Sequence, residues 1–359
     1  MSKTRVVIAG GGTGGHIYPG IALAEVLKTQ DSSIEVHFVG AIGGLEEKIV
    51  PKNGYPLHLL KIDRLHHSVS KIRRIKTLLL LPFAFIHSMY LYLKLRPQWV
   101  LGIGGFASGP FVFMSSLLGG NTAILEPNAY PGLANRWLSK VVKKCFVVFP
   151  ETKKYFPEKK VVEVGLPVRL EKKHPSLNYD GSRPMRLLIF GGSQGARAVN
   201  NIVGSWVESL NGRGNQFEIL HQIGSRDFSI WQERYANKHT EYLTYKEYIN
   251  DMPERLAWAD LVICRAGIGS VVEVAMAGKP ALFIPLPTAA DNHQVKNAEV
   301  LASKKAALLI EEKNLDSEKL DEAIENLRKN PQLLQNMMDQ LKTFDYSKAP
   351  QQILDQLMK

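Results

Sequence analysis

The sequence predicts an α/β fold with two doubly wound parallel sheets that face each other across a cleft. Two glycine-rich runs, residues 10–16 and 191–196, each follow a short apolar strand and precede a helical stretch. Short apolar runs alternate with helical patterns along almost the whole chain, which is typical of this fold class. The chain has 359 residues, more than one hydrophobic core usually supports, so two domains are expected.

The first domain is expected to span residues 1–165. Its chain begins with a short polar stretch and four apolar residues that end at glycine, so no secretory signal segment is expected. The apolar runs of this half contain little polar alternation, which favours parallel strands that are covered on both faces. We predict these strands near residues 5–9, 34–39, 98–103, 121–125, 145–148 and 161–164.

The second domain is expected to span residues 166–343. A polar stretch with two prolines and a glycine, residues 170–184, indicates a linker. The tail from residue 316 has helical spacing, and its last piece, about residues 344–359, is expected to form a helix that packs back on the first domain. Strands are predicted near residues 185–190, 217–221, 241–245, 260–263, 281–284 and 306–309.

The two glycine-rich runs indicate binding of phosphate groups. Glycine lets backbone N–H groups approach a ligand closely, and the helix N-terminus that follows favours negative charge. The first run also matches the Gly-x-Gly-x-x-Gly pattern of dinucleotide-binding proteins through Gly10, Gly12 and Gly15. That function needs an acidic residue at the end of the second strand to bind the ribose, but Glu35 lies at its start. A nicotinamide-dependent enzyme is therefore disfavoured.

The positive charge is concentrated in the first half of the chain. The net charge is +11: residues 1–165 contain 21 Lys and Arg against 10 Asp and Glu, and the remaining 24 of each sign cancel. This asymmetry predicts an anionic partner for the first domain, either nucleic acid, an anionic membrane surface or a phosphorylated substrate. Since no nucleic-acid-binding module is recognisable, no nucleic-acid partner is expected.

Seven unusual motifs occur in order along most of the chain, and together they are highly specific. They occupy residues 11–20, 104–110, 126–132, 165–169, 191–196, 264–267 and 291–298. In these motifs the sequence resembles the MurG family, bacterial N-acetylglucosaminyltransferases that act on the lipid-linked muramyl-pentapeptide intermediate of peptidoglycan synthesis. The resemblance implies a GT-B fold of two Rossmann-like domains, in which the C-terminal domain holds most of the donor, UDP-N-acetylglucosamine.

The resemblance and the local chemistry together indicate the donor-binding residues. Ser193 and the N–H groups around it fit the donor pyrophosphate, although serine is also a favoured helix N-cap. The guanidinium group of Arg169 can donate two parallel hydrogen bonds to phosphate oxygens. The alternative interpretation is that Arg169 is a solvated residue of the linker. The resemblance implies that Glu273 contacts the ribose and that the backbone of Ile249 contacts the edge of the uracil ring. It also implies that Gln294 faces the hydroxyls of N-acetylglucosamine. The alternative interpretation is that Glu273 is an ordinary acidic residue in the first turn of a helix, where the helix dipole stabilises its negative charge. The neighbouring substrate-binding positions are Ile268, Gly269, Ser270, Val271 and Val272.

Two residues compete for the role of the general base that takes a proton from the acceptor hydroxyl. His16 ends the first glycine-rich run, and histidine titrates near neutral pH. Glu126 is the alternative. Asn128, on the loop that follows Glu126, fits a ligand contact, because an amide cannot take the proton. The substrate-binding positions of the first run are Thr13, Gly14 and Gly15.

No catalytic metal and no cofactor are expected. The sequence contains no Asp-x-Asp pair, and two cysteines, Cys145 and Cys264, are too few for a disulfide framework or a zinc site. Helix dipoles and Arg169 are expected to meet the charge of the leaving group instead. The chain departs from the family at Pro127, where glutamine is usual, and at Leu166, where asparagine is usual. Each departure removes a polar side chain beside an expected substrate contact.

Residues 71–96 indicate a surface that faces a membrane. Basic residues flank a run of 17 uncharged residues, 77–93, which is short for a spanning helix. Strands of one domain are predicted on both sides of the run, so a helix of that domain that contacts an anionic leaflet is favoured. The resemblance implies the same peripheral attachment, at the cytoplasmic face of the bacterial inner membrane.

The resemblance implies an inverting glycosyltransferase that moves N-acetylglucosamine from UDP to the 4-hydroxyl of undecaprenyl-linked muramyl-pentapeptide. The alternative is another GT-B enzyme that uses a UDP-sugar, either an epimerase or a glycolipid synthase. An epimerase has no need for a basic and apolar face on the first domain. A glycolipid synthase shares that face and differs in its acceptor.

Overall fold

The computed structural model describes residues 4–62, 71–168, 171–192, 195–236 and 241–358. The chain divides into two units, one containing Met1–Arg169 and Tyr346–Lys359 and the other Leu170–Asp345. Each unit has its own sheet, and all the paired strands run parallel. The predicted α/β class with two parallel sheets is therefore confirmed.

The first sheet has the strand order of a doubly wound fold. Its strands are β1 (Arg5–Ala9), β2 (Glu35–Ala41), β3 (Leu57–Leu60), β4 (Trp99–Gly102), β5 (Thr122–Glu126), β6 (Lys144–Val147) and β7 (Val161–Glu163). They are arranged β3-β2-β1-β4-β5-β6-β7, so the direction of the connections reverses between β1 and β4. In such sheets this reversal marks the place where ligands bind, at the carboxyl ends of the strands.

The helices of the first unit cover both faces of this sheet. They are α1 (Gly14–Gln30), α2 (Glu46–Lys52), α3 (Lys71–Leu95), α4 (Ser108–Leu117) and α5 (Leu133–Leu138). Val7, Val100 and Ile124 of three adjacent strands are fully buried in one apolar cluster with Phe111 of α4 and Leu91 of α3. Burial of the strands on both faces explains why they are almost uniformly apolar.

The second sheet repeats the same winding. Its strands are β8 (Met185–Phe190), β9 (Phe217–Gln222), β10 (Leu243–Lys246), β11 (Leu261–Cys264), β12 (Ala281–Phe283) and β13 (Leu308–Leu309), in the order β10-β9-β8-β11-β12-β13. The helices are α6 (Arg197–Ser209), α7 (Phe228–Ala236), α8 (Met252–Trp258), α9 (Ile268–Ala277), α10 (His293–Ala302), α11 (Ser317–Lys329) and α12 (Pro331–Leu341). Trp206 and Trp231 are buried at the centre of its core.

The last helix, α13 (Ala349–Met358), belongs to the first unit although it comes at the end of the chain. It packs against α1, and its Ile353, Leu354 and Leu357 side chains are buried. Lys144, at the start of β6, donates a hydrogen bond to the carbonyl oxygen of Gln356 at 2.6 Å. The C-terminal segment is thus a structural part of the first unit.

Every strand predicted from the sequence is present, with small differences in the bounds, but β3 is an additional strand. It has four residues, follows Pro56, contains His58 and lies at the edge of the sheet beside β2. Such a short run, interrupted by a polar residue, lacks the apolar pattern by which strands are recognised. Glu35 opens β2 as expected and forms an ion pair with Arg5 at 2.7 Å, away from the carboxyl ends.

Candidate active site

In each unit, predicted site residues lie in turns and helix starts at the carboxyl ends of central strands. In the first unit, residues 10–16 follow β1, residues 103–107 follow β4 and residues 127–132 follow β5. In the second unit, residues 191–196 follow β8, and α9 follows β11. Since β1 is adjacent to β4 and β8 to β11, both sets of turns flank a point where the connections reverse. Each unit therefore has a ligand-binding edge of the doubly wound type.

His16 lies half-buried in the first turn of α1. Its Nδ1 atom is 3.2 Å from the carbonyl oxygen of Gly11 and 3.2 Å from the hydroxyl oxygen of Thr13. Because a carbonyl oxygen can only accept, the contact with Gly11 assigns the ring proton to Nδ1 and the lone pair of the neutral ring to Nε2. The ring packs so closely against Gly104 that a Cβ atom there would lie 2.9 Å from Nε2. The glycine turns thus fix a tautomer in which Nε2 can take a proton.

The N-terminus of α1 presents backbone donors beside His16. Thr13 is the N-cap residue of α1, and its side chain makes no capping hydrogen bond to the helix. The first N–H groups of a helix have no partner inside the helix, so those of Gly14 and Gly15 can donate to a ligand. The helix dipole makes an anionic ligand favourable at this position.

Glu126 ends β5, is 1% exposed and is surrounded by hydrogen-bond donors. Its carboxylate accepts from the backbone N–H groups of Asn128 and Gly132, both at 3.0 Å, and from the side-chain amides of Asn128 at 3.1 Å and Asn135 at 2.9 Å. Burial raises the pKa of Glu126, while these hydrogen bonds act in the opposite direction. Since the carboxylate already accepts four hydrogen bonds, its geometry suits holding the loop 127–132 better than taking a substrate proton. The same contacts draw the side-chain amide of Asn128 toward Glu126.

Gln222, at the end of β9, joins two predicted donor-binding segments. Its amide nitrogen donates to the carbonyl oxygen of Gly192 at 2.9 Å, and its amide oxygen accepts the N–H of Ile249 at 2.9 Å. The backbone N–H of Ile249 is therefore already engaged, whereas no hydrogen bond to its carbonyl oxygen occurs within the described ranges. Gln222 was not predicted from the sequence; its only signal there is a pair of polar residues, His221 and Gln222, at the end of the apolar run of β9.

The N-terminus of α9 and Glu273 are further predicted donor-binding groups of the second unit. Gly267 is the N-cap of α9, no side chain caps the helix, and a Cβ atom at Gly267 or Gly269 would meet open space. Ile268 and Val271 are buried, as is Val272, whereas Ser270 is half-buried. Burial raises the pKa of Glu273 to about 7, and among the described residues its carboxylate has no hydrogen-bond partner. Glu273 is half-buried, and a carboxylate that lacks a donor there can accept hydrogen bonds from hydroxyl groups of a ligand.

Gln294 is the second residue of α10, and its amide oxygen accepts the backbone N–H of Leu286 at 2.9 Å. This contact anchors the side chain to the loop after β12 and leaves its amide nitrogen as the donor for a ligand. Two consecutive residues before α10, Asp291 and Asn292, have φ angles of +51° and +56°. Left-handed conformations are uncommon for residues other than glycine and occur often at functional sites.

Two predicted residues, Arg169 and Ser193, lie outside the described residues. Helix α6 begins at Arg197 with Ala196 as its N-cap. Of the two departures from the family pattern, Leu166 is 1% exposed, so this position belongs to the apolar core of the first unit. In the part of the chain that the structure describes, no group of three or more His, Cys, Asp or Glu side chains could hold a metal ion.

The chain matches both domains of one glycosyltransferase family. Residues 6–147 match the glycosyltransferase family 28 N-terminal domain, and residues 186–353 match the glycosyltransferase family 28 C-terminal domain. A protein of Bdellovibrio bacteriovorus is 46% identical over 349 residues, which cover 95% of each chain. That protein is named UDP-N-acetylglucosamine--N-acetylmuramyl-(pentapeptide) pyrophosphoryl-undecaprenol N-acetylglucosamine transferase.

Solved structures agree with this assignment. The crystal structure of Acinetobacter baumannii MurG is 30% identical, covers 99% of both chains and has a TM-score of 0.78. The UDP-GlcNAc 2-epimerase of Neisseria meningitidis, with a TM-score of 0.67 over 99% of this chain and 100% of that chain, is only 12% identical and shares the fold alone. The predicted GT-B fold is confirmed by these neighbours, and the chain belongs to the MurG family of glycosyltransferases.

Proposed function

We propose that the protein transfers N-acetylglucosamine from UDP-N-acetylglucosamine to the 4-hydroxyl of the muramyl sugar of undecaprenyl-pyrophosphoryl-muramyl-pentapeptide. This step converts lipid I to lipid II in peptidoglycan synthesis. The observation that carries the proposal is the 46% identity, over 95% of the chain, to a relative that is named for this activity. The two binding edges agree with it, because the second unit offers groups for a sugar nucleotide and the first offers a base.

The donor is bound mainly by the second unit. The diphosphate lies at the N-terminus of α9, where uncapped N–H groups and the helix dipole favour negative charge, and Ser193 and Arg169 contribute further phosphate contacts. Glu273 accepts hydrogen bonds from the ribose hydroxyls. The carbonyl oxygen of Ile249 accepts the N3–H of uracil, a donor that cytosine lacks. The amide nitrogen of Gln294 donates to a hydroxyl of the sugar.

The first unit supplies the base and contacts the acceptor through Thr13, Gly14 and Gly15. Nε2 of His16 takes the proton of the acceptor 4-hydroxyl as its oxygen attacks the anomeric carbon. The bond between this carbon and the β-phosphate oxygen breaks, and its electron pair leaves with UDP. Because the acceptor oxygen attacks the face opposite UDP, the anomeric configuration inverts. The dipole of α9 stabilises the charge that develops on the leaving diphosphate. Glu126 holds the loop that carries Asn128.

A surface of the first unit supports attachment to the membrane. We define the α3–α5 apolar surface as the exposed apolar side chains of three helices, of which α3 packs against α4 and α4 against α5. Its members are Phe83, Ile86, Tyr90 and Leu93 on α3, Leu117 at the end of α4, and Leu133 and Trp137 on α5. Phe83 is 68% exposed and Trp137 65%. Large exposed apolar patches of this kind mark sites of interaction with membranes or partners.

Lysine side chains accompany the aromatic residues of the α3–α5 apolar surface. Nζ of Lys94 lies 5.8 Å from the ring centroid of Tyr90, and Nζ of Lys140 lies 4.9 Å from that of Trp137. Aromatic rings beside lysines suit the boundary between lipid headgroups and acyl chains. Over the described ranges, no helix has both the length and the apolar character needed to cross a bilayer. The surface therefore supports peripheral attachment to the cytoplasmic leaflet that contains the lipid-linked acceptor.

The test is incubation of the purified protein with UDP-N-acetylglucosamine and undecaprenyl-linked muramyl-pentapeptide. We expect UDP release that depends on the acceptor, with N-acetylglucosamine added to the lipid product, and we expect the activity to persist with a chelator. Conversion of the donor to its 2-epimer without an acceptor would identify an epimerase instead. Transfer only to a lipid that lacks the muramyl sugar would identify a glycolipid synthase.

A further inference from the structure

A buried carboxylate lies against the first glycine-rich run and has no part in the function proposed above. Glu46 opens α2 and is 1% exposed. Its Oε2 atom accepts the backbone N–H of Gly12 at 2.8 Å, and its Oε1 atom accepts the N–H of Ala41, the last residue of β2, at 2.9 Å. The carboxylate thus joins the turn after β1 to the end of the neighbouring strand.

Three glycines enclose this carboxylate. A Cβ atom would lie 2.2 Å from Cδ of Glu46 at Gly11, 2.3 Å from it at Gly44, and 2.5 Å from Cγ of Glu46 at Gly40. A larger residue at any of the three positions would require the carboxylate or the backbone to move. Glycine at these three positions therefore leaves room for the Glu46 side chain.

The position of the carboxylate corresponds to that of a ligand in related folds. In dinucleotide-binding proteins, the glycine-rich turn after the first strand brings backbone N–H groups against the pyrophosphate. Here an N–H group of that turn donates to a carboxylate of the same chain. An internal anion both satisfies the donor and repels a second anion at short range.

We propose that Glu46 is a built-in anion that closes part of the first glycine-rich run to nucleotide phosphates and holds the run in the form that orients His16. Gly11 packs against the carboxylate and presents its carbonyl oxygen to Nδ1 of His16 at 3.2 Å. The next residue, Gly12, is fixed by its own hydrogen bond to Glu46. Glu46 is therefore a positioning residue for the base. This second part rests on the proposed function of His16.

Anion binding to a truncated variant tests the first part without any substrate. Glu46→Ala opens a gap beside the N–H groups of Gly12 and Ala41, and formate should fill it. We expect formate to raise the Tm of this variant by several degrees relative to chloride at equal ionic strength. Glu47→Ala is the matched control, because Glu47 is exposed on the same helix and accepts the N–H of Gly43 at 2.8 Å. Equal formate shifts in the two variants would overturn the proposal.

Turnover tests the second part. Glu46→Gln keeps the shape of the side chain but turns an amide nitrogen toward one of the two N–H donors. We expect its kcat for transfer to fall about 10²-fold through misplacement of His16, with the Kd for UDP-N-acetylglucosamine unchanged. Formate should partly restore kcat in Glu46→Ala but not in Glu46→Gln, whose side chain fills the gap.

Each outcome decides one question. A Glu46→Gln enzyme with wild-type kcat would overturn the positioning role. If Glu46→Ala does not fold, Glu46→Gln tests the positioning role by its kcat, and a Tm of Glu46→Gln equal to that of the wild-type protein would overturn the built-in anion. Absence of transfer by the wild-type protein would overturn the proposed function, while the formate shift of Glu46→Ala would still decide whether the run holds a built-in anion.

Discussion

His16 and Glu126 have surroundings that suit different roles. The imidazole is half-buried, and its contact with the carbonyl oxygen of Gly11 assigns the lone pair to Nε2. The carboxylate of Glu126 is almost fully buried and accepts four hydrogen bonds from its own loop. To act as a base, Glu126 would have to give up some of these hydrogen bonds. This difference favours His16, although both were candidates from the sequence.

Replacing His16 with alanine should lower kcat by about 10²–10⁴-fold, the range expected when a general base is lost. The Kd for UDP-N-acetylglucosamine should not change, because His16 is not among the residues that we propose to bind the donor. Steady-state kinetics and calorimetry measure the two quantities. Glu126→Gln is the comparison, and it should mainly lower stability, by roughly 1–3 kcal/mol, because buried donors lose their partner. Normal turnover in His16→Ala would transfer the catalytic role to Glu126.

Glu273 should make donor binding depend on pH. Burial raises its pKa to about 7, and ribose hydroxyls donate more strongly to the ionised carboxylate than to the neutral acid. Affinity should therefore be highest above pH 7 and should fall about tenfold from pH 8 to pH 6 as the carboxylate takes up a proton. Calorimetry with UDP-N-acetylglucosamine measures this, since its phosphates do not titrate in that range.

Glu273→Gln is the matched control for the pH dependence. It has a similar shape but no titratable group, so its affinity should be lower than that of the wild-type protein at pH 8 and constant down to pH 6. A wild-type affinity that does not change with pH would contradict the ribose contact. An equal slope in both proteins would assign the titration to another group.

At the residue scale, sequence motifs identify positions more readily than contacts. The resemblance identified Ile249 as the predicted uracil contact. Only the fold shows that Gln222 accepts the N–H of Ile249, so that the carbonyl oxygen is the group that we propose for uracil. Gln222 and Ile249 are 27 residues apart, and parallel pairing of β9 with β10 brings them together. Contacts that depend on strand pairing cannot be derived from motif spacing. The roles of the site residues, those of Arg169 and Ser193 included, stay predictions.

At the element scale, α3 and α5 should bind anionic membranes together. Phe83→Ser with Trp137→Ser removes two exposed apolar side chains, and replacement of Arg73, Arg74 and Lys76 with Glu reverses the charge at the start of α3. Either change should weaken binding to vesicles that contain anionic lipid. Binding of the wild-type protein should also weaken as the salt concentration rises, because salt screens the attraction between basic side chains and anionic lipid. Vesicle sedimentation measures both effects.

Ile230→Ser provides the matched control for vesicle binding. Ile230 is 58% exposed on α7 of the second unit, so its replacement removes a comparable apolar side chain outside the α3–α5 apolar surface. Vesicle binding should stay at the wild-type level. Equal binding of the wild-type protein to neutral and anionic vesicles, or loss of binding in Ile230→Ser, would remove this surface from the mechanism.

The elements themselves were predictable to different degrees. The uncharged run at residues 77–93 and its basic flanks predicted a surface helix, and α3 spans it. Trp137 was not predicted to belong to the α3–α5 apolar surface, because α5 has only six residues and lies far from α3 along the chain. Helix α4 packs against both α3 and α5, which brings these segments close together in the fold. A surface that is built from separate segments leaves no continuous signal in the sequence.

At the scale of the whole molecule, the repeated glycine-rich runs carried most of the information about the fold. Each run follows the first strand of its unit, β1 or β8. In the sheets β1 lies beside β4 and β8 beside β11, and the direction of the connections reverses between these strands. One local pattern, seen twice, thus predicted two sheets with the same winding. The distribution of charge carried no information about the fold, but it predicts an additional anionic partner, the membrane surface, for the first unit.

The C-terminal helix should stabilise the first unit without contributing to donor binding. Ile353 of α13 is fully buried where the helix packs on α1, so Ile353→Ala should destabilise the first unit by about 2–5 kcal/mol. Met358, 60% exposed on the same helix, gives the control Met358→Ala, which should have little effect. Hydrogen exchange resolved by segment should show faster exchange in α1 and β1 of Ile353→Ala but not in β8 or α9. Calorimetry should give an unchanged Kd for UDP-N-acetylglucosamine. If exchange accelerated equally in β8 and α9, the two units would unfold as one, and α13 could not be assigned to the first unit alone.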